Sequence, residues 1–276
     1  MASVDIRRGN HFDLSTTGVS MPYADLHVHT TRSDGTLEFD EVPEAARRAD
    51  LEVVALTDHD RLQPFDGPVL EREGIRIVHG IELRVEADDG FRVDLLGYGV
   101  EPTDDLETVV EAVQGNRRER GQAIVDCVED RLGIDLAVDV EDGFGRPHIA
   151  RAIDDHPDAE YDYQAAFSHL IGFDCPCYVP REIPSFEHGR QALESACSVV
   201  SLAHPLRYRD PERALELAPE LDALEVHYPY GRAVDRGPLE DVVASHGLLI
   251  TGGSDAHDDQ LGRAGVSEAE YRALGL

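Results

Sequence analysis

Five times along this chain a short apolar run gives way, within a residue or two, to a histidine or a carboxylate. Asp25-Leu26-His27-Val28-His29-Thr30 is the first case and Thr57-Asp58-His59-Asp60 the second. Gly80-Ile81-Glu82, Ala203-His204-Pro205 and Gly253-Ser254-Asp255-Ala256-His257 complete the series. The apolar runs over 23–28, 53–57, 75–81, 199–203 and 248–252 have the length and aliphatic content of buried strands, as do 93–98 and 223–227. Helical periodicity fills intervals at 39–49, 107–132, 186–196, 211–218 and 239–245. Alternation of strand and helix calls for a mainly parallel barrel or open sheet. Such folds gather functional groups at the C-terminal ends of their strands. The stretch over about 104–184 breaks the rhythm with mostly helical pattern and reads as an inserted lobe. The first twenty residues are polar and unpatterned, and a loose, flexible N-terminal arm is expected over 1–20, followed by one domain over 21–276.

His27 and His29, two apart on a strand, point to the same face and form a metal-binding pair. Asp34 follows in the Ser33-Asp34-Gly35 loop as a hard oxygen ligand, and Glu82 stands where a carboxylate can bridge two ions. Imidazole and carboxylate without thiolate suit manganese, zinc or iron(II). Asp58 either orients a neighbouring ligand or caps a turn, and His79 is expected to be structural.

Charge narrows the possibilities further. The net charge is −31, and all 25 basic residues are arginine; lysine is absent. The carboxylates run the whole length of the chain, which favours a halophile's solvated acidic coat over a patch for a cationic partner. An anionic substrate then receives no long-range steering and must be held by local metals and arginines. Tryptophan is absent and no basic stripe carries interleaved aromatics, so an extended nucleic-acid track is not expected. No apolar run reaches the roughly 18 to 20 residues of a membrane span and no signal peptide opens the chain, which points to the cytoplasm. Cys127, Cys175, Cys177 and Cys197 lack zinc-knuckle spacing and read as small buried hydrophobes.

Taken together and in order, these segments resemble the PHP (polymerase and histidinol phosphatase) family over 23–276. Within it the chain is most similar to stand-alone phosphoesterases of the RNase AM / TrpH type, which share Arg146-Pro147-His148-Ile149-Ala150, Tyr178-Val179-Pro180 and Leu224-Glu225-Val226. The resemblance implies a distorted (β/α)7 barrel with a mostly helical inserted lobe and two or three divalent ions, manganese first, zinc or iron as alternatives. It implies that His27, His29, Glu82 and Asp255 hold a first ion, and that Glu82, His148 and His204 hold a second. Asp34, His59 and His257 would hold a third. Asp255, His204 and Glu82 are the expected catalytic residues. His227 stands where relatives often carry another polar residue and is left out of the ligand set. Arg117, Arg118, Arg146 and Arg207 are candidates for the substrate phosphate, with ion pairs to surface acids as the alternative.

The chemistry expected of such a site is hydrolysis of a phosphate ester by water that the ions have deprotonated, attacking phosphorus in line with the leaving oxygen. Resemblance favours nucleotide-type substrates, either a nucleoside 3′,5′-bisphosphate or the 5′ end of a short RNA. Histidinol-phosphate or general phosphodiesterase activity uses the same ions and stays open, as does a non-catalytic, metal-stabilised binding module. An amidohydrolase with a lysine bridging its metals is excluded, because there is no lysine. The partner expected is a small phosphorylated substrate or a short oligonucleotide, and oligomeric state is not legible.

Overall fold

Aliphatic runs with buried residues on both faces build the sheet, and amphipathic helices cover it. The structure, a computed structural model, describes residues 21–276, so the arm expected over 1–20 lies outside the described residues. The order is β1 (Ala24–Val28), α1 (Val42–Arg48), β2 (Val53–Leu56), β3 (Val69–Arg72), β4 (Ile75–Glu86), β5 (Arg92–Tyr98), α2 (Asp104–Leu132), α3 (Arg146–Asp155) and α4 (Tyr163–Ala166). Then come α5 (Phe186–Ala196), β6 (Val199–Leu202), α6 (Pro211–Leu215), β7 (Ala223–His227), α7 (Gly237–His246), β8 (Leu249–Gly252) and α8 (Glu268–Leu274).

The strands run β1-β2-β4-β5-β6-β7-β8, with β3 as a hairpin partner of β4. The sheet curls until its two edges approach: Val28 bridges Ala256, and the His29 amide donates to the Ala256 carbonyl at 2.9 Å. A distorted seven-strand barrel results. It is less parallel than the alternation implied, because β5 lies antiparallel to both β4 and β6. Its cause is the length of β4, whose first half pairs with β2 and whose second half folds back into a ribbon with β5. Glu82 therefore sits inside β4 and not at a strand end. The β3 hairpin and α8 were not anticipated from sequence, being short and only weakly periodic.

Leu26, Leu56, Ile77, Ile81, Leu83 and Leu95 are fully buried between sheet and helices, each contributing roughly 1.5–3 kcal/mol through burial. The segment 104–184 divides physically. Leu106, Val109 and Val113 of α2 join the barrel core. Ile124, Val125 and Val128 of the same helix join Phe144, Ile149 and Ile171 in a separate core.

That second core corrects the expectation for the cysteines. Cys127 on α2 is disulfide-bonded to Cys177, fifty residues away, and only Cys175 and Cys197 are free. The link ties α2 to the loop carrying Tyr178 and Arg181. Maleimide labelling of the denatured, unreduced protein is expected to add two adducts and the reduced protein four. Four adducts without reductant would contradict the link. Among the described residues no helix is long and apolar enough to cross a membrane.

Candidate active site

β1 delivers His27 and, one residue past its end, His29, both fully buried. The Nε2 atoms of His27 and His29 face the Glu82 Oε2 at 3.5 and 3.4 Å and the Asp255 Oδ1 at 3.4 and 3.1 Å. Glu82 Oε2 also lies 2.8 Å from His59 Nδ1, and Glu82 Oε1 is hydrogen-bonded to His204 Nε2 at 3.1 Å. On the far side, Asp34 Oδ1 lies 3.2 Å from His257 Nε2 and 3.8 Å from His59 Nε2. His27, His29 and Glu82 thus present ligand atoms within 4.8 Å of one another, and so do His29, Asp34, His59 and His257. The trio of His27, His204 and Asp255 meets the same limit.

The donors fit divalent cations by a direct structural criterion. His27 Nε2, both ring nitrogens of His29, Asp34 Oδ1, Glu82 Oε2 and His204 Nδ1 are buried without a hydrogen-bond partner. Buried polar atoms in that state are destabilising unless something polar or charged lies among them.

Supporting carboxylates hold the side chains of the cluster in place. Glu225, fully buried on β7, accepts from His27 Nδ1 at 3.0 Å and from the His204 amide at 2.6 Å, so His27 turns Nε2 towards Glu82 and Asp255. Asp25 accepts from the Ser254 amide and hydroxyl at 2.8 and 2.6 Å, locking the loop that carries Asp255 and His257. Asp58 accepts from the Thr30 amide and the Ser33 hydroxyl at 2.8 and 2.7 Å, which assigns it to holding the Asp34 loop. A Cβ at Gly253 would lie 2.3 Å from the His27 backbone nitrogen, so only glycine lets that strand end approach. Asp60, His204 and Asp255 all adopt positive φ, at 53°, 31° and 50°, strain of about 1–3 kcal/mol each that surrounding structure must offset.

Electrostatics couple the cluster to protons. Burial opposes charge on Glu82, yet His59 and His27 hold its pKa well below the ordinary range. Burial likewise opposes protonation of His59, but the Glu82 carboxylate pushes it up to about 9. Burial and the neighbouring His59 imidazole hold His29 down. An ion held by His59 would have to displace its proton below pH 9. Manganese affinity is therefore expected to rise between pH 7 and 8.5 by about tenfold per pH unit for each proton displaced. A pH-independent titration would remove His59 from the ligand set.

Beside the cluster opens a cavity of about 190 Å³ lined by Arg84, Arg92, Arg117, Arg120, Arg146 and Arg181 together with Asp34 and His59. Six arginines on one wall of a chain with net charge −31 is a strong local inversion of sign. Asp60, buried between barrel and lobe, accepts from Arg117 Nη2 at 2.6 Å and Arg181 Nη2 at 2.5 Å. Burial and the adjacent guanidinium of Arg146 lower Arg120 to about 10, and burial and Arg117 bring Arg181 to about 10 despite Asp60. An anion entering this crowd relieves repulsion that the arginines otherwise impose on one another.

The sequence-based candidates distribute unevenly. Arg117 and Arg146 line the cavity. Arg118 instead makes surface ion pairs with Glu111 and Asp142. Arg207 reaches Asp255 Oδ2 at 2.7 Å, as does the Tyr228 hydroxyl. His148 joins none of the ligand clusters among the described residues; it stacks on Phe144 and accepts from the Gly145 amide. In its stead Asp94, on β5, clusters with Glu82 and His204. His227 pairs with Glu270, and buried His79 accepts from the Gln63 amide. Sequence reasoning missed Asp94, Glu225, Arg84 and Arg181. Of these, Arg84 carried a local signal, two residues past Glu82 and hence on the same strand face, and Glu225 lay within the Leu224-Glu225-Val226 segment already singled out.

Residues 25–195 match the family described as the PHP domain. The chain is 28% identical over 250 residues to the phosphoribosyl 1,2-cyclic phosphate 1,2-diphosphodiesterase of Eggerthella lenta, covering 84% of this chain and 93% of that one. It is 28% identical over 280 residues to the 3′,5′-nucleoside bisphosphate phosphatase of Chromobacterium violaceum, covering 91% and 92%. A solved structure from Bifidobacterium adolescentis, described as a metal-dependent phosphoesterase, superposes with a TM-score of 0.76 at 25% identity, covering 92% of this chain and 96% of that one.

Proposed function

The chain belongs to the PHP domain family, and from that premise we propose that it is a metal-dependent phosphoester hydrolase whose substrate is a nucleotide carrying more than one phosphate. One observation carries the reading: a buried cluster of partnerless imidazole and carboxylate atoms adjoins a cavity lined by six arginines. The ligand set comprises His27, His29, Glu82, Asp255 and His204 on one side and Asp34, His59 and His257 on the other. Manganese is the first choice of ion, with zinc and iron as alternatives from the donor types. When bound, such ions polarise phosphoryl oxygens and make water acidic enough to attack near neutral pH.

The protein's own groups do the rest. Glu225 keeps His27 in one tautomer, Asp255 divides its oxygens between the histidine pair and the Arg207–Tyr228 pair, and Arg117, Arg146 and Arg181 take up anionic oxygens in the cavity. Water adds to phosphorus, the ester P–O bond breaks, and inorganic phosphate leaves with an alcohol. A nucleoside 3′,5′-bisphosphate suits this layout, with one phosphate at the ligand cluster and another among the arginines. The name of the Chromobacterium violaceum relative supports the same choice. Short RNA 5′ ends are the second substrate in this reading. Nucleotides of this kind are intracellular, so a cytoplasmic location belongs to it, and the Cys127–Cys177 disulfide is the feature that location must accommodate.

Phosphate release from adenosine 3′,5′-bisphosphate, with Mn²⁺ in molar KCl, tests the proposal. Turnover to AMP that a chelator abolishes is the expected result. A folded, manganese-loaded protein that releases nothing from this ester, from histidinol phosphate or from a short 5′-phosphorylated RNA would sink it in favour of a non-catalytic module.

A further inference from the structure

Glu82, Asp94 and His204 bring ligand atoms within 4.8 Å of one another, which on donor types alone makes a further cation position. Its aspartate differs from Asp34 and Glu82, each of which keeps a buried oxygen without a partner. Asp94 is 1% exposed, and both of its oxygens are engaged: Arg84 Nε donates to Oδ1 at 2.7 Å and Arg84 Nη2 to Oδ2 at 2.6 Å. No Asp94 oxygen is among the buried atoms without a partner, whereas His27, His29, Asp34, Glu82 and His204 each contribute at least one.

The pair is imposed by the sheet. Arg84 and Asp94 stand directly opposite each other in the β4–β5 register, and opposite charges at such positions attract across the strands. Arg84 follows Glu82 by two residues, so both side chains leave β4 on one face. The Asp94 amide donates to the Tyr208 hydroxyl at 2.7 Å, and the Arg84 amide donates to Asp60 Oδ1 at 3.3 Å, fixing both backbones. Arg84 also lines the arginine cavity. It thus belongs to the phosphate-facing wall and to the ligand cluster at once.

We infer that the guanidinium of Arg84 is the resident cation at the Glu82–Asp94–His204 position, so that the centre binds two divalent ions and not three. This rests on the metal-centre reading above and deepens it. A divalent ion entering there would have to break a bidentate ion pair whose carboxylate is buried and whose guanidinium is partly exposed, and push that guanidinium into a wall already crowded with arginines. A planar guanidinium can instead donate to a phosphoryl oxygen while staying on Asp94, which a hydrated ion could do only by taking Asp94 as its own ligand.

The test counts bound ions. Wild-type protein, Arg84→Met and Asp94→Asn are each loaded with excess Mn²⁺ in molar KCl, freed of unbound ion by gel filtration, and analysed for manganese per chain. Two ions in the wild type, three in Arg84→Met and two in Asp94→Asn are expected. Three in the wild type, two in Arg84→Met, or a loss in Asp94→Asn would overturn the assignment. Should Arg84→Met fail to fold, the wild-type count and Asp94→Asn still decide it. No ion in any of the three would overturn the metal centre itself, while two ions without phosphate release would fault only the proposed substrate.

Discussion

Asp255→Asn protein is expected to release phosphate at least about 10²–10³-fold more slowly than wild type, the scale of losing one preorganised electrostatic group, while remaining folded. Asparagine tolerates the positive φ of 50° found at this position, so the backbone is undisturbed and the effect reports charge. The carboxylate has two duties that an amide cannot share. Oδ1 faces the Nε2 atoms of His27 and His29, at 3.4 and 3.1 Å, where an anion is needed to balance a cation. Oδ2 accepts from Arg207 and Tyr228, both at 2.7 Å, and so holds a cationic group beside the ligands. An amide nitrogen turned to either side faces donors or a metal with no lone pair to offer. Phosphate release at saturating manganese, measured beside a thermal melt, checks this. Activity within tenfold of wild type, in a protein of unchanged melting temperature, would remove Asp255 from the centre.

The other large effect concerns stability. Asp60→Asn is expected to destabilise the fold by about 3–5 kcal/mol, the usual consequence of removing one partner from a buried ion pair. Asp60 is 1% exposed, and its Oδ2 alone receives Arg117 twice, at 2.6 and 3.0 Å, and Arg181 once, at 2.5 Å. Arg117 belongs to α2 and Arg181 to the loop beyond the disulfide, so one carboxylate pins both to the barrel. Burial, with the guanidinium groups of Arg181 and Arg117 outweighing it, holds the Asp60 carboxyl well below its ordinary pKa, so this stabilisation is lost only in strong acid. At pH 7 the melting temperature should fall by about 10 °C, given roughly 2–4 °C per kcal/mol for a chain of this size. The Michaelis constant should rise too, because the arginine wall loses its anchor. A melting temperature within 2 °C of wild type would show that molar salt or water, and not Asp60, neutralises the two arginines.

Much of the candidate cluster was legible because its donors are local to strand ends. His27 and His29 needed only the two-residue period of a strand, and Asp255 and His257 only the apolar run before them. Glu82 was expected as a bridging acid at a strand end, whereas β4 continues past it as a ribbon whose length depends on pairing with β5. His148 shows the limit of motif transfer. The resemblance put it among the ligands of the second ion, but in the fold it stacks on Phe144 and Asp94 clusters with Glu82 and His204.

The sequence by itself determined the chemistry of the donors, their order along the chain, the strand–helix alternation and the need for local cations in a chain of net charge −31. These follow from composition and short-range periodicity, which a linear reading contains. Only the tertiary structure decided that Arg84 faces Asp94, that Asp60 joins Arg117 to Arg181, that Glu225 spans His27 and His204, and that Cys127 meets Cys177. Each of those contacts joins elements whose distance is set by strand register or by how the inserted segment packs on the barrel. Register and packing are collective outcomes of burial over the whole sheet, and no neighbouring residues encode them.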